Sequence, residues 1–161
     1  DTSGCLLLAR NPKGLKRSSA ACEARQVEEV YIGIVAGRLD QDSGTIALSL
    51  AKISSAEKGW RMIPAKKGKP SVTHWRKLQE IGGLTLVEFR PESGRTHQIR
   101  VHAASGLGAP LLGDPVYGNP KGAARTMLHA AALTIQREGK PPIVAAASLP
   151  ADFAALGFSY A

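Results

Sequence analysis

The chain has 161 residues, a formal charge of +8, 43% hydrophobic content and only 5% aromatics. This suits one globular domain over 1–161 with a real core packed by Ala, Val, Leu and Ile. It excludes a bilayer-spanning helix, since the longest apolar runs are too short. A zinc knuckle or disulfide framework is excluded too, because Cys5 and Cys22 are too few and too far apart. Reduced thiols in a cytoplasm fit best. The start, DTSGCLLLARNPKG, lacks a signal peptide's basic opening and long apolar stretch, and also lacks an initiating Met. Charge of this sign points to a polyanion, because neutralising phosphates releases counterions; a surface kept charged for solubility is the lesser alternative.

Along the chain, CLLLAR (5–10) is a short apolar run and predicts a buried strand. Asn11-Pro12 and Gly14 punctuate it, and residues 15–26 have the composition of a surface helix. VYIGIVAG (30–37) is β-branched and predicts a strand, RLDQDSG (38–44) a loop, and TIALSLAKI (45–53) an alternating strand. The segment 57–71 is loop-like and carries Lys58, Arg61, Lys66, Lys67 and Lys69, as a solvated loop or as one facing RNA. SVTHWRKLQ (71–79) and LTLVEFR (84–90) flank Ile81-Gly82-Gly83 and predict a hairpin. Residues 95–105 fit a helix that Ser93-Gly94 starts and Gly106 ends. The stretch 106–122 is too rich in Gly and Pro for regular structure. MLHAAALTIQ (127–136) fits a strand or short helix, IVAAASLP (143–150) a strand, and ADFAALGF (151–158) a terminal turn or helix. The fold class is α+β: a mixed, mainly antiparallel sheet with a few short helices.

RPESGRTHQIRVH (90–102) concentrates the polar chemistry. His97 and His102 are five apart, so on a helix they point to different faces, and no carboxylate or Cys stands at ligand spacing; no metal is expected. No G-x-S-x-G elbow surrounds Ser93, so a serine hydrolase is not expected. An anion site remains, because a helix N-terminus presents free N–H groups and Arg95 adds a permanently charged fork. On a helix Arg95, Ile99 and His102 share one face, while Arg100 faces elsewhere and can reach a phosphate. A solvated basic helix is the plainer alternative.

GRTHQIRVH followed by GAPLLGDPVYG resembles the signature of the RluA-like pseudouridine synthases, which isomerise uridine in ribosomal or transfer RNA. DTSGCLLLARN resembles the end of the family's first motif, VYIGIVAG its tyrosine strand, and MLHAAALTIQ and SLPADF its closing segments. The resemblance implies an RNA cleft and a reaction that uses neither metal nor cofactor. An aspartate initiates breakage of the C1′–N1 bond, and the freed uracil turns and rejoins through C5. The target base must first leave its stack, and flipped bases are usually held by aromatic or apolar shelves. The resemblance makes Arg95 the partner that keeps the catalytic aspartate ionised, and Tyr31 the ring that packs on uracil. Ile99 adds an apolar contact, Thr96, His97 and Gln98 set the local turn and polar network, and Arg100 contacts RNA backbone.

The family's first motif reads His-Arg-Leu-Asp-x-Asp-Thr-Ser-Gly, and its first aspartate is the catalyst. That places the catalyst two positions before Asp1, so the 161 residues alone are expected to be inactive and a longer parent protein active. RLDQDSG imitates the motif and puts Asp40 in the catalytic slot, but after the tyrosine strand rather than before it. Glu29 stands where the family commonly has lysine, two before the tyrosine. A catalytically inactive RNA-binding domain is the competing reading.

Overall fold

The computed structural model describes residues 1–160. Its centre is β2 (Val27–Ala36), which pairs antiparallel with β7 (Leu84–Pro91) on one side and β8 (Leu128–Arg137) on the other. Beyond β7 lie β6 (Thr73–Ile81) and β3 (Ser43–Ile46), both antiparallel. The outer edge of β8 is shared end to end. β1 (Ser3–Gly4) runs parallel beside His129 and Ala130, and β9 (Lys140–Ala146) runs antiparallel beside Ala132 to Arg137. A separate two-stranded hairpin consists of β4 (Leu50–Ser55) and β5 (Gly59–Pro64). The helices are short: α1 (Pro12–Glu23), α2 (Gln98–Val101, continued by a π-helical turn to Gly106) and α3 (Ala151–Ala154). This is the expected α+β class.

Period-two alternation sorts the sheet's side chains into two layers. Ile32, Ile34 and Leu86 pack on one face with Met127, Phe153 and Phe158. Val35, Val87 and Phe89 pack on the other with Ile99, Leu111 and Leu128. Complete burial of side chains of this size contributes about 1.5–3 kcal/mol each. Tyr31 is the cross-strand neighbour of Phe89 and packs against the second layer.

Four expectations need correction. CLLLAR is not a buried strand: β1 ends at Gly4 with a last bond from Cys5 N–H to Ala130 O, and Leu6 and Leu8 are 77% and 76% exposed. TIALSLAKI is two strands in different sheets. The basic segment 57–71 contains β5, for which β4 supplies the backbone partners. Finally, the helix expected at Arg95 starts at Gln98, because His97 is left-handed (φ 54°, ψ 21°) and breaks the helical path. His102 then turns into the core rather than onto a shared face with Arg95, and is fully buried. The 127–136 segment is a strand.

Candidate active site

The turn between β7 and α2 is built around one amide. Gln98 Oε1 accepts from Ser93 Oγ (2.8 Å) and from the backbone N–H of Arg95 (3.1 Å). Gln98 Nε2 donates to Val72 O and Thr73 Oγ1, both at 3.0 Å. All four hydrogen-bonding positions of the amide are used, so the Arg95 backbone is tied to the start of β6. The Arg95 side chain is exposed, and its Nε donates to Pro70 O at 3.1 Å. His102 closes the network below. Its Nε2 lies 3.1 Å from Leu48 O, a pure acceptor, so the proton sits on Nε2, and Thr73 Oγ1 donates to Nδ1 at 2.8 Å. Burial holds the His102 pKa below its ordinary value, against the opposing pull of the Leu48 carbonyl.

His97 links this turn to the β4–β5 hairpin. Its ring stacks on Trp60 (centroids 4.9 Å apart, planes at 20°) and meets Tyr117 edge-on. Tyr117 Oη accepts from Met62 N–H at 2.9 Å and lies 2.8 Å from His97 Nδ1. Tyr117 Oη thus joins the hairpin backbone to the His97 ring through two hydrogen bonds. Burial and then the Arg100 charge lower the His97 pKa, with Asp114 opposing.

Arg100 holds the following loop. Its Nε and one terminal nitrogen donate to the two oxygens of Asp114 at 2.8 and 2.7 Å. Asp114 Oδ1 also accepts from the amides of Val116 and Tyr117. Asp114 is 0% exposed, and burial alone raises its carboxyl; the Arg100 bond and the two amides outweigh that and bring it below the ordinary range.

These elements enclose a cavity of about 490 Å³. Asp1 and Thr2 form one wall, Tyr31 and Glu29 of β2 a second, and Arg95, Ile99 and Arg100 a third. His97 and Gln98 also line it. A β-bulge at Val30/Tyr31 re-aims the β2 side chains at this point. Tyr31 Oη is 3.4 Å from Glu29 Oε1. Burial, then the Glu29 charge and hydrogen bond, push the Tyr31 phenol up to about 12, so at neutral pH it is a protonated donor. Thr96 is exposed and faces a neighbouring groove. Asp40 lies elsewhere, lining a different cavity with Arg38, Gln41 and Trp75. Among the described residues no group of three or more His, Cys, Asp or Glu is placed to hold a metal ion, and no helix is long and apolar enough to cross a membrane.

The family model for RNA pseudouridylate synthase matches residues 1–105, which carry Tyr31, Arg95 and Ile99. The chain belongs to the RNA pseudouridylate synthase family. An RNA pseudouridine synthase of Zymomonas mobilis is 54% identical over 160 residues, covering 98% of this chain and 73% of the relative. Ribosomal large subunit pseudouridine synthase D of Haemophilus ducreyi is 32% identical over 172 residues, covering 97% of this chain but only 52% of the relative. The structure of human RNA pseudouridylate synthase domain containing 1 superposes with a TM-score of 0.70 at 27% identity, over 88% of this chain and 62% of the human one. This family member spans 33% to 73% of the length of the curated relatives it matches.

Sequence reasoning did not assign the partners that fix the site. Asp114, Tyr117 and Trp60 each touch a residue of the 95–100 turn or its neighbours. GAPLLGDPVYG had already singled out Asp114 and Tyr117 as part of a motif, but not what they bind.

Proposed function

We propose that these residues form the uridine-isomerising pocket of an RNA pseudouridine synthase acting on ribosomal or transfer RNA. The observation that carries this reading is the single cavity shared by Tyr31, Arg95, Ile99 and the Asp1-Thr2 segment. Tyr31 packs on the uracil ring, and Ile99 gives it an apolar contact. The family's nucleophilic aspartate, two positions before Asp1 in the motif, belongs to the longer protein. Arg95 pairs with it and keeps it ionised. Thr96, His97 and Gln98 hold the turn. The N–H donors of Arg100 that Asp114 does not take are available to a phosphate oxygen.

The C1′–N1 bond breaks, the base rotates, and a C1′–C5 bond forms. The C5 proton leaves and N1 gains one, so nothing is oxidised and neither water nor cofactor is consumed. Residues 1–161 act as the C-terminal portion of the catalytic domain and need the upstream aspartate for turnover. The free cysteines Cys5 and Cys22 suit the reducing cytoplasm in which such RNA is processed.

The test is pseudouridine mapping of ribosomal and transfer RNA incubated with the full-length protein, with and without chelator. Product in both conditions is expected, and Arg95→Ala should lower the rate at least about a hundredfold, the scale of removing one preorganised charged group from an active site. RNA binding without product in the wild type would favour the inactive binding domain; a wild-type rate in Arg95→Ala would remove Arg95 from the mechanism.

A further inference from the structure

Four of the chain's cations gather beside the pocket. A groove of about 490 Å³ runs between the β4–β5 hairpin, the turn at 65–69 and the 94–96 segment. Lys52, Lys67, Lys69 and Arg95 line it, and no carboxylate does. Among the described residues none of these four cations has an acidic partner at ion-pair distance. Groove and pocket share Gly94 and Arg95, so they lie side by side.

The cations stand on a built frame. Leu50 and Lys69 exchange both backbone hydrogen bonds, at 2.9 and 2.8 Å, and Gly68 N–H donates to Ala65 O at 2.9 Å. Gly68 lies so close to β4 that a Cβ would sit 2.5 Å from the Leu50 carbonyl. The turn therefore needs glycine, and it presents Lys67 and Lys69 on either side. Lys52 Nζ rests 4.5 Å from the Trp60 ring centroid, a cation–π contact that holds it at the wall. Arg95 is steadied by Pro70 O. Like charges gathered without counter-charges repel one another, and a bound polyanion relieves that cost.

We propose that this groove carries the sugar–phosphate backbone of the RNA strand flanking the nucleotide in the pocket, with successive phosphates on Arg95, Lys69 and Lys67, and Lys52. The inference rests on reading the pocket as a uridine site. Backbone contacts of this kind set register without reading sequence. The groove thus positions any strand, and base choice stays with the pocket. An acidic protein segment matches the charge but has no use for a base-sized cavity beside the groove.

The experiment measures binding of a fluorescent single-stranded uridine-containing RNA to the full-length protein over a range of KCl. The probe variant is Lys52→Ala/Lys67→Ala/Lys69→Ala. The control removes equal charge from α1, as Lys13→Ala/Lys16→Ala/Arg17→Ala. Each phosphate neutralised on a single strand contributes about 0.7 to the slope of log K against log salt, so the probe variant should be shallower by about 2. The control should keep the wild-type slope. Gly68→Ala, which changes no charge, should weaken binding in step with the displaced turn, its fold checked by circular dichroism. A wild-type slope in the probe variant, or an equal fall in the control, overturns the proposal. So does tighter binding of polyglutamate than of RNA that the probe variant abolishes. Pseudouridine formation with an unaltered slope removes the groove alone. A shallower slope with no pseudouridine from the wild type keeps the groove and removes the isomerase reading.

Discussion

Gln98 does more for this site than its position in a basic motif suggests. It is buried, and it ties the Arg95 backbone to Thr73 and Val72 through one amide. Gln98→Leu leaves the Arg95 N–H and the Val72 carbonyl without the amide that pairs them and removes one of the two bonds of the Thr73 hydroxyl. Breaking buried hydrogen bonds in this way costs about 1–3 kcal/mol. Urea unfolding should show that loss. Product formation, measured well below the melting temperature, should fall further than stability does, because the Arg95 backbone is no longer held. An activity loss that vanishes once the unfolded fraction is subtracted would make Gln98 a stability residue only.

At the scale of elements, the β4–β5 hairpin stands apart from the seven-stranded sheet. Most of its side chains are exposed, whereas β7 is buried along most of its length and β2 from Ile32 to Val35. Its ties to the site are the Met62–Tyr117 hydrogen bond and the Trp60–His97 stack. Its amides should therefore exchange hydrogen at least about tenfold faster than those of β2 and β7, equivalent to an opening energy about 1.4 kcal/mol lower. Tyr117→Phe should accelerate them further. Equal protection in hairpin and sheet would mean that the two open together.

Which elements were legible follows from local chemistry. The β6–β7 hairpin announced itself by Gly82-Gly83 between two β-branched runs, and β2 by VYIGIVAG. β5 was hidden by its Lys, Gly and Pro neighbours. Its signal was Gly59, left-handed at φ 68°, closing a short turn after β4. CLLLAR misled because apolar content argues for burial only when a partner strand is present. The early start assigned to α2 failed because a left-handed His97 is unusual for a non-glycine residue, and the Tyr117 and Trp60 contacts that accompany it are non-local. Tyr31, Arg95 and Ile99, which the family resemblance and not spacing singled out together, line one cavity, whereas the ion pair of Arg100 with Asp114 spans fourteen residues of Gly- and Pro-rich loop that no periodicity describes.

For the whole molecule, the buried titratable groups set how stability responds to acid. His97 and His102 have folded pKa values below the ordinary 6.5, so the unfolded chain binds protons first. Their contribution is complete above about pH 6.5 and declines as pH falls below it. Asp114 has a folded pKa below its unfolded value of about 3.9, so its contribution holds above about pH 4 and is lost as pH falls through the folded value. Urea midpoints between pH 8 and 3 should thus decline in two stages. His102→Gln should flatten the upper stage. Asp114→Asn, which breaks a buried ion pair, should lower stability at pH 7 by about 3 kcal/mol and flatten the lower one. A single decline below pH 4, the same in His102→Gln, would contradict the neutral buried imidazole.

Arg125 joins stretches of chain that lie far apart in sequence. It donates to the backbone carbonyl of Asp1, to Ser3 Oγ and to Leu128 O at the start of β8, and it pairs with both oxygens of Asp152 in α3. Its guanidinium also lies 5.6 Å from the Phe153 ring centroid. One side chain is therefore a buckle between the opening and closing segments of the described chain. It thereby joins Asp152 to Asp1, which with Thr2 walls the pocket. Asp152→Ala is therefore expected to loosen the pocket wall from a distance, read as faster hydrogen exchange at Thr2 and Ser3.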